Sequence, residues 1–244
     1  MIDIVYEDNY IIACIKPYGV PSQADKTYGV DMITMVKEYL YEKSESEEEP
    51  YVAVINRLDR PVAGIILFAK DESTAAKLSD MVQDREIQKF YQVVVQGYME
   101  DAEGDLSDYL LHDKKKNITQ VVTKGTKGAK YAELHYEVLD ELDTDEGPIS
   151  YLLVELKTGR HHQIRCQMAA NGTPIWGDNK YNPGSKGAKG GPSPAKGGKK
   201  TKEQKEIGLY STKMVFNHPV TGEEVFLHRE PEGKAFEIMD QMDW

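Results

Sequence analysis

The sequence predicts an α+β chain built around a large mixed sheet, on three observations. Short apolar runs with strand character recur at residues 10–15, 64–69, 89–96 and 152–156. Two stretches carry apolar residues at helical spacing: Ile33, Val36 and Leu40, then Ala75, Leu78 and Val82. The connections are long and antiparallel in style, without the regular strand–helix alternation of a doubly wound fold.

In chain order, residues 4–16 read as a hairpin whose turn is Glu7-Asp8-Asn9 and whose return strand is residues 10–15. The Ile33 helix follows, and the Glu-rich stretch after it suits a solvated loop. Strands are expected near 51–55 and 63–69, a helix over 72–84, and a strong strand over 89–96. Two more strands are expected at 131–139 and 151–156, with the Gly147-Pro148 pair as a break between them. Residues 182–205 are dominated by Gly, Pro, Ser and Lys, and no apolar face offsets the entropy of ordering them, so they are expected to form a flexible insertion. The simplest organisation is a single catalytic domain over 1–244 carrying that insertion.

Composition narrows the function classes. Hydrophobic content of 40% and charged content of 29% are those of an ordinary globular protein. Asp3, Glu7 and Asp8 exclude a basic leader, and no apolar run approaches the roughly 20 residues that cross a bilayer. Cys14 and Cys166 are the only cysteines, too few for a disulfide framework, which points to a reducing cytoplasm. The net charge of −11 opposes non-specific phosphate binding, but the charge is unevenly spread. Residues 179–202 hold seven Lys and no acid, whereas residues 42–49 hold five Glu against one Lys. The scattered histidines lack metal-ligand spacing, and Gly197-Gly198-Lys199-Lys200-Thr201 lacks the Ser or Thr and the preceding strand of a phosphate loop. Neither metal nor organic cofactor is implied.

Two dense polar clusters embedded in apolar sequence are the strongest signals: Asn56-Arg57-Leu58-Asp59-Arg60 and Gly159-Arg160-His161-His162-Gln163-Ile164-Arg165. Charges in such surroundings are costly unless they find partners. The first cluster places Asp59 at a turn between two strands, and the second follows a strand and opens a helix. Together with Tyr6-Glu7-Asp8-Asn9-Tyr10, Lys16-Pro17-Tyr18-Gly19, Lys89-Phe90-Tyr91, Gly172-Thr173-Pro174-Ile175-Trp176-Gly177-Asp178 and Phe216-Asn217-His218-Pro219, these motifs resemble the RluA family of pseudouridine synthases, in the family's order and over most of the chain.

The resemblance implies a pseudouridine synthase fold, a mixed and mainly antiparallel sheet with flanking helices and a central cleft. It implies an RNA partner, ribosomal or transfer RNA, in which uridine is isomerised to pseudouridine. Breaking the C1′–N1 bond and rejoining the base through C5 suits a carboxylate, which either attacks the sugar or removes a sugar proton to give a glycal. By resemblance Asp59 is that carboxylate, Arg165 its ion-pair partner, and Tyr91 the ring against the target uracil, where its hydroxyl also assists removal of the C5 proton. Periodicity alone makes Tyr91 a core residue beside Val93 and Val95, and Asp59 and Arg165 buried structural ions. Arg57 is expected to fill the gap left by a flipped nucleotide or to bind phosphate, and Lys16, Leu58, Arg160 and Ile164 to line the substrate site.

The chain departs from the family pattern where most relatives have His before Arg-Leu-Asp and this chain has Asn56, and where Val62-Ala63-Gly64 replaces a common Thr-Ser-Gly. The early motif Pro17-Tyr18-Gly19-Val20-Pro21-Ser22-Gln23 also lacks the His that often ends it. No RNA-binding domain is expected ahead of Met1, and neither a membrane nor an obligate protein partner. The alternative functions are a catalytically inactive RNA-binding module of the same fold and a glycoside hydrolase, for which Glu155 is the nearest second carboxylate.

Overall fold

In the computed structural model the described residues are 2–24, 29–44, 48–182 and 206–240. The insertion expected at 182–205 lies, apart from Asn182, outside them, as does the core of the Glu-rich loop, residues 45–47. The chain divides into two compact units: Met1–Gln92 with Val154–Thr158 and Leu209–Pro231, and Val93–Leu153 with Gly159–Gly208 and Glu232–Trp244.

In the first unit β1 (Asp3–Glu7) and β2 (Ile11–Lys16) form the expected antiparallel hairpin. Asp8 closes the turn, its Oδ1 accepting the amides of Tyr10 at 2.7 Å and Ile11 at 2.8 Å. β2 pairs antiparallel with β4 (Ala63–Ala69), which also carries the two-residue β3 (Ala53–Val54). The two helices begin where an Asp precedes Thr by three residues. Asp31 caps α1 (Met32–Lys43) by accepting from Thr34 N at 3.1 Å, and Asp71 caps α2 (Glu72–Gln83) by accepting from Thr74 N at 2.8 Å.

β2 and β4 are buried on both faces, which is why they read as unbroken apolar runs rather than alternating ones. Ile12, Cys14, Ile66 and Phe68 pack with Met32, Val36 and Leu40 of α1. On the other face Ile11, Ala13, Ile65 and Leu67 pack with Ala75 and Leu78 of α2. Each such fully buried aliphatic side chain contributes about 1.5–3 kcal/mol. β10 (Leu209–Asn217) runs parallel to β4 and pairs antiparallel with β11 (Glu224–His228). β5 (Gln88–Gln96) contributes residues 88–92 to this unit.

In the second unit the strand order is β9 (Gly147–Leu156), β8 (Lys130–Thr144), β6 (Glu103–Asp113) and β7 (Ile118–Val122), with β6 antiparallel to both β8 and β7. α3 (Gln163–Ala170) is buried around most of its circumference, and α4 (Lys234–Asp240) ends the described chain. The strands therefore form a large mixed, mainly antiparallel sheet within an α+β fold. Among the described residues no helix is long and apolar enough to cross a membrane.

Two expectations are corrected. Gly147-Pro148 does not interrupt the strands but begins β9, because the hairpin turn is made one step earlier, where Thr144 Oγ1 donates to Gly147 O at 2.6 Å. A proline at the start of a strand removes a donor where the ladder has not yet begun. The strand expected over 51–55 is only Ala53–Val54, because the side chain of Asn56 takes over the pairing with β4.

Candidate active site

The loop that carries Asp59 is fixed to the sheet residue by residue. Ile55 N donates to Leu67 O at 2.9 Å, and the Asn56 amide then stands in for a peptide group: its Oδ1 accepts from Leu67 N at 2.7 Å and its Nδ2 donates to Ile65 O at 3.4 Å. Asn56, one of the positions at which this chain departs from the family pattern, is thus a structural anchor. One step on, the buried Ser22 hydroxyl accepts from Leu58 N at 3.0 Å and donates to Leu58 O at 2.8 Å. Asp59 itself is half-buried, and its carbonyl accepts from Val62 N at 2.9 Å to close the turn before β4.

The far side of Asp59 is held by the Lys16-Pro17-Tyr18-Gly19 motif. Gly19, at φ 79°, donates its amide to Arg60 O at 2.8 Å, and Arg60 Nε returns a bond to Gly19 O at 2.8 Å. Lys16 has no solvent exposure. Its Nζ donates to Val20 O at 2.7 Å, Pro17 O at 3.0 Å and Arg60 O at 3.2 Å, so all three ammonium protons are engaged by backbone carbonyls. Burial pulls its pKa down to about 7, while the negative charge of Asp59 pulls it up and Arg60 pulls it down.

Tyr91 stands on β5, only 6% exposed. Burial and then the charge of Asp59 push its phenol far above the ordinary tyrosine range, against the Ser211 hydroxyl, which favours the phenolate. Asp59 and Tyr91 therefore act on one another electrostatically within one unit, and the phenol stays protonated at neutral pH. Ser211 reaches this place because β10 lies hard against Gly64: a Cβ on Gly64 would come within 2.3 Å of Ser211 O. Nothing in the sequence marked Ser211, since a Ser inside a strand carries no local signal. Arg57 is exposed and has no ion-pair partner among the described residues.

In the second unit the Gly159 motif turns into α3 through His162, which takes the left-handed conformation at φ 50°. Gln163 locks the turn, accepting from Arg160 N at 3.0 Å and donating to Glu133 O at 3.0 Å, while Arg160 Nε donates to Tyr131 O at 2.8 Å. Ile164 is buried at 5% exposure beside Arg165 at 4%. Arg165 grips Asp178 with two parallel bonds, Nε to Oδ2 at 2.7 Å and Nη2 to Oδ1 at 2.9 Å, and its guanidinium lies 5.2 Å from the ring centre of Tyr181. Tyr181 Oη meets His162 Nδ1 at 2.8 Å and accepts from Thr119 N at 2.8 Å. Burial, followed by the charge of Arg165, lowers the pKa of His162 to about 2, so the ring is neutral at every physiological pH.

Sequence reading gave no task to Asp178 or Tyr181. Asp178 was visible as an acid in the Gly-Asp step of a family-like motif, and a buried guanidinium requires a carboxylate. Glu155, the second carboxylate of the hydrolase alternative, is held by Lys157 at 2.6 Å.

The family model for RNA pseudouridylate synthase matches residues 9–170, which contain every catalytic and substrate-binding residue named from the sequence. The chain is 30% identical to tRNA pseudouridine synthase C of Yersinia pestis over 100% of its own length and 92% of the relative's. It is 29% identical to the Vibrio vulnificus protein of the same name, over 100% of this chain and 96% of that one. It is also 30% identical to ribosomal large subunit pseudouridine synthase D of Vibrio cholerae, over 93% of this chain and 66% of that one. Among solved structures, human RNA pseudouridylate synthase domain containing 4 has the same fold, with a TM-score of 0.71 at 18% identity, covering 94% of this chain and 88% of that one. With the matched model spanning most of the chain and full-length relatives at this identity, the chain belongs to the RNA pseudouridylate synthase family, the enzymes that isomerise uridine to pseudouridine, as its RluA-type motifs imply.

Proposed function

We propose that this enzyme isomerises a uridine in structured RNA, transfer or ribosomal, with Asp59 as the reacting carboxylate. The observation that carries the reading is the fixing of Asp59 on both sides, by Asn56 and Ser22 before it and by Gly19 and Lys16 after it, together with its electrostatic reach to Tyr91. A backbone fixed this way presents the Asp59 side chain from a set position when the sugar arrives.

In the proposed reaction Asp59 either bonds to C1′ as N1 departs or takes a sugar proton as the C1′–N1 bond breaks. The detached uracil turns and C5 bonds to C1′, displacing the Asp59 carboxylate in the first route or with Asp59 returning its proton to the sugar carbon in the second; the C5 proton leaves and N1 gains one, so atoms and electrons balance without any redox partner. Tyr91, kept as a neutral phenol, holds the turning base by stacking, an interaction of about 1–3 kcal/mol. The family resemblance assigns Arg165 as the catalytic guanidinium, and Asp178 holds it in one orientation. Arg57, exposed next to the loop, takes the gap left by the extruded nucleotide or a phosphate. Leu58 and Ile164 supply apolar wall, Arg160 orients the turn before α3, and Lys16 acts by positioning the Asp59 loop, its protons being committed to carbonyls.

The names of the relatives, one set acting on tRNA and one on the large ribosomal subunit, support both RNA classes and a cytoplasmic location. We read the two units as halves of one catalytic domain, because β5 and β9 each contribute residues to both. The test is release of C5 tritium from uridine-labelled RNA. The parent releases tritium, and Asp59→Asn abolishes release while retaining RNA affinity. A parent that is folded, binds RNA and releases none is the inactive binding module instead.

A further inference from the structure

Charge in the second unit is sorted by position along one strand. Residues 114–132 carry six Lys and no acid, whereas residues 137–146 carry six acids and no base. β8 runs from Lys130 to Thr144, 15 residues or about 45–50 Å; the other five lysines precede its start, Glu133 follows Lys130, and the remaining acids fill its second half and the turn after it. The acids of β6, Glu103, Asp105, Asp108 and Asp113, are spread along its length, and its antiparallel register fixes which of them face each end of β8. Leu110 pairs with Lys130 near the β6–β7 turn, and Glu103 pairs with Glu137 at the other end.

The basic end is ordered. Asp113 spends its Oδ1 on the amides of Lys115 at 2.9 Å and Lys116 at 3.1 Å, which shapes the turn and leaves the ammonium groups outside. The next loop is closed by Thr126 Oγ1 to Thr123 O at 2.8 Å and passes through Gly125 and Gly128 at φ 91° and 85°. Lys114, Lys115, Lys116, Lys124, Lys127 and Lys130 are all exposed, and none has an ion-pair partner among the described residues. The Arg165 motif is tied to the same end: Thr119 Oγ1 donates to His161 O at 2.9 Å, and Lys180 Nζ to Asn117 O at 2.8 Å.

A solubilising surface mixes both signs, and a chain of charge −11 already has ample charge for that purpose. Screening at physiological salt confines exposed charges to about 8 Å, so what a polyanion meets is the local cluster and not the total. We infer that the six-lysine end of the second unit is a docking surface for the phosphate backbone of the substrate RNA. This rests on the function proposed above. The surface positions the strand and does not read its sequence.

The test uses the full chain and fluorescein-labelled bulk transfer RNA. The variant K114A/K115A/K116A/K124A/K127A is expected to lose about tenfold or more in affinity at 0.1 M salt, and to flatten the slope of log K against log salt by about two or more. In the tritium assay the loss falls on KM rather than kcat. The variant E137Q/D145N, which changes net charge at the acidic end, is expected to shift affinity by less than about twofold. The proposal is overturned if the five-lysine variant binds within twofold of the parent, or if the acidic-end variant gains as much as the lysine variant loses, since net charge alone would then explain both. If the five-lysine variant fails to fold, K115Q/K124Q replaces it, with about a threefold loss expected and no loss overturning. A parent that releases no tritium refutes the function but not the surface, whose anisotropy readout is independent of turnover.

Discussion

Arg165 and Asp178 form a two-pronged ion pair with side chains only 5% and 1% exposed, Nε to Oδ2 at 2.7 Å and Nη2 to Oδ1 at 2.9 Å. Asp178 Oδ1 also accepts from Lys180 N at 3.0 Å and Tyr181 N at 3.3 Å, so one carboxylate both neutralises the guanidinium and shapes the turn after it. Asp178→Asn keeps the size of the side chain and removes its charge, leaving Arg165 without this counter-ion. A cost of about 3–5 kcal/mol in urea unfolding is expected, with a loss of turnover because Arg165 is no longer aimed. Adding Arg165→Met to that variant is expected to recover part of the stability and none of the activity. A cost under about 1 kcal/mol for Asp178→Asn would show that the pair does not hold the guanidinium.

Lys16 holds the Asp59 loop through Arg60 O and the preceding motif through Pro17 O and Val20 O. Lys16→Met removes the donors and leaves three buried carbonyls to find others, each at roughly 1–3 kcal/mol if none is found. A clear fall in Tm and at least about a tenfold fall in tritium release are expected. Lys16→Arg is not expected to rescue either, because a planar fork cannot aim at three carbonyls gathered around a point. Normal turnover in Lys16→Met would remove the loop-holding role.

Some of this was legible from residue order and some was not, for physical reasons. The β1–β2 hairpin, β4 and β5 announce themselves as dense apolar runs, and α2 by its helical period and a cap that is local in sequence. β6 was missed because nearly all its residues stay half-exposed and only Leu110 is buried, so a strand of 11 residues shows no apolar face. β10, which ends in the Phe216-Asn217 step of the last motif, and β11 and α4 after it have short or interrupted patterns. At the site, the side-chain types at Asp59, Tyr91 and Arg165 were readable. The groups that hold the first of them were not, since Ser22 and Leu58 meet across 36 positions and Lys16 and Arg60 across 44. The charge run at residues 114–132 is as plain in the sequence as the one at 179–202, but only the register of β8 shows that it opposes an acidic end.

His162 gives the chain an acid sensitivity whose sign can be worked out. The ring is 8% exposed, stacks on His161 with centroids 3.7 Å apart, and lies beside the Arg165 charge, which together with burial holds its pKa at about 2 against an ordinary 6.5. Between those values the unfolded chain binds a proton that the folded chain refuses. Stability from this group is therefore fully present above about pH 6.5 and is lost as pH falls, by up to about 1.4 kcal/mol per pH unit. His162→Asn tolerates the left-handed backbone at φ 50° and cannot titrate. Urea midpoints at pH 7, 6 and 5 are expected to show the parent losing stability faster than the variant, so that the gap between them narrows with acid. Parallel curves would mean that the folded protein protonates this imidazole as readily as the unfolded chain does, and that neither burial nor the Arg165 charge excludes the proton.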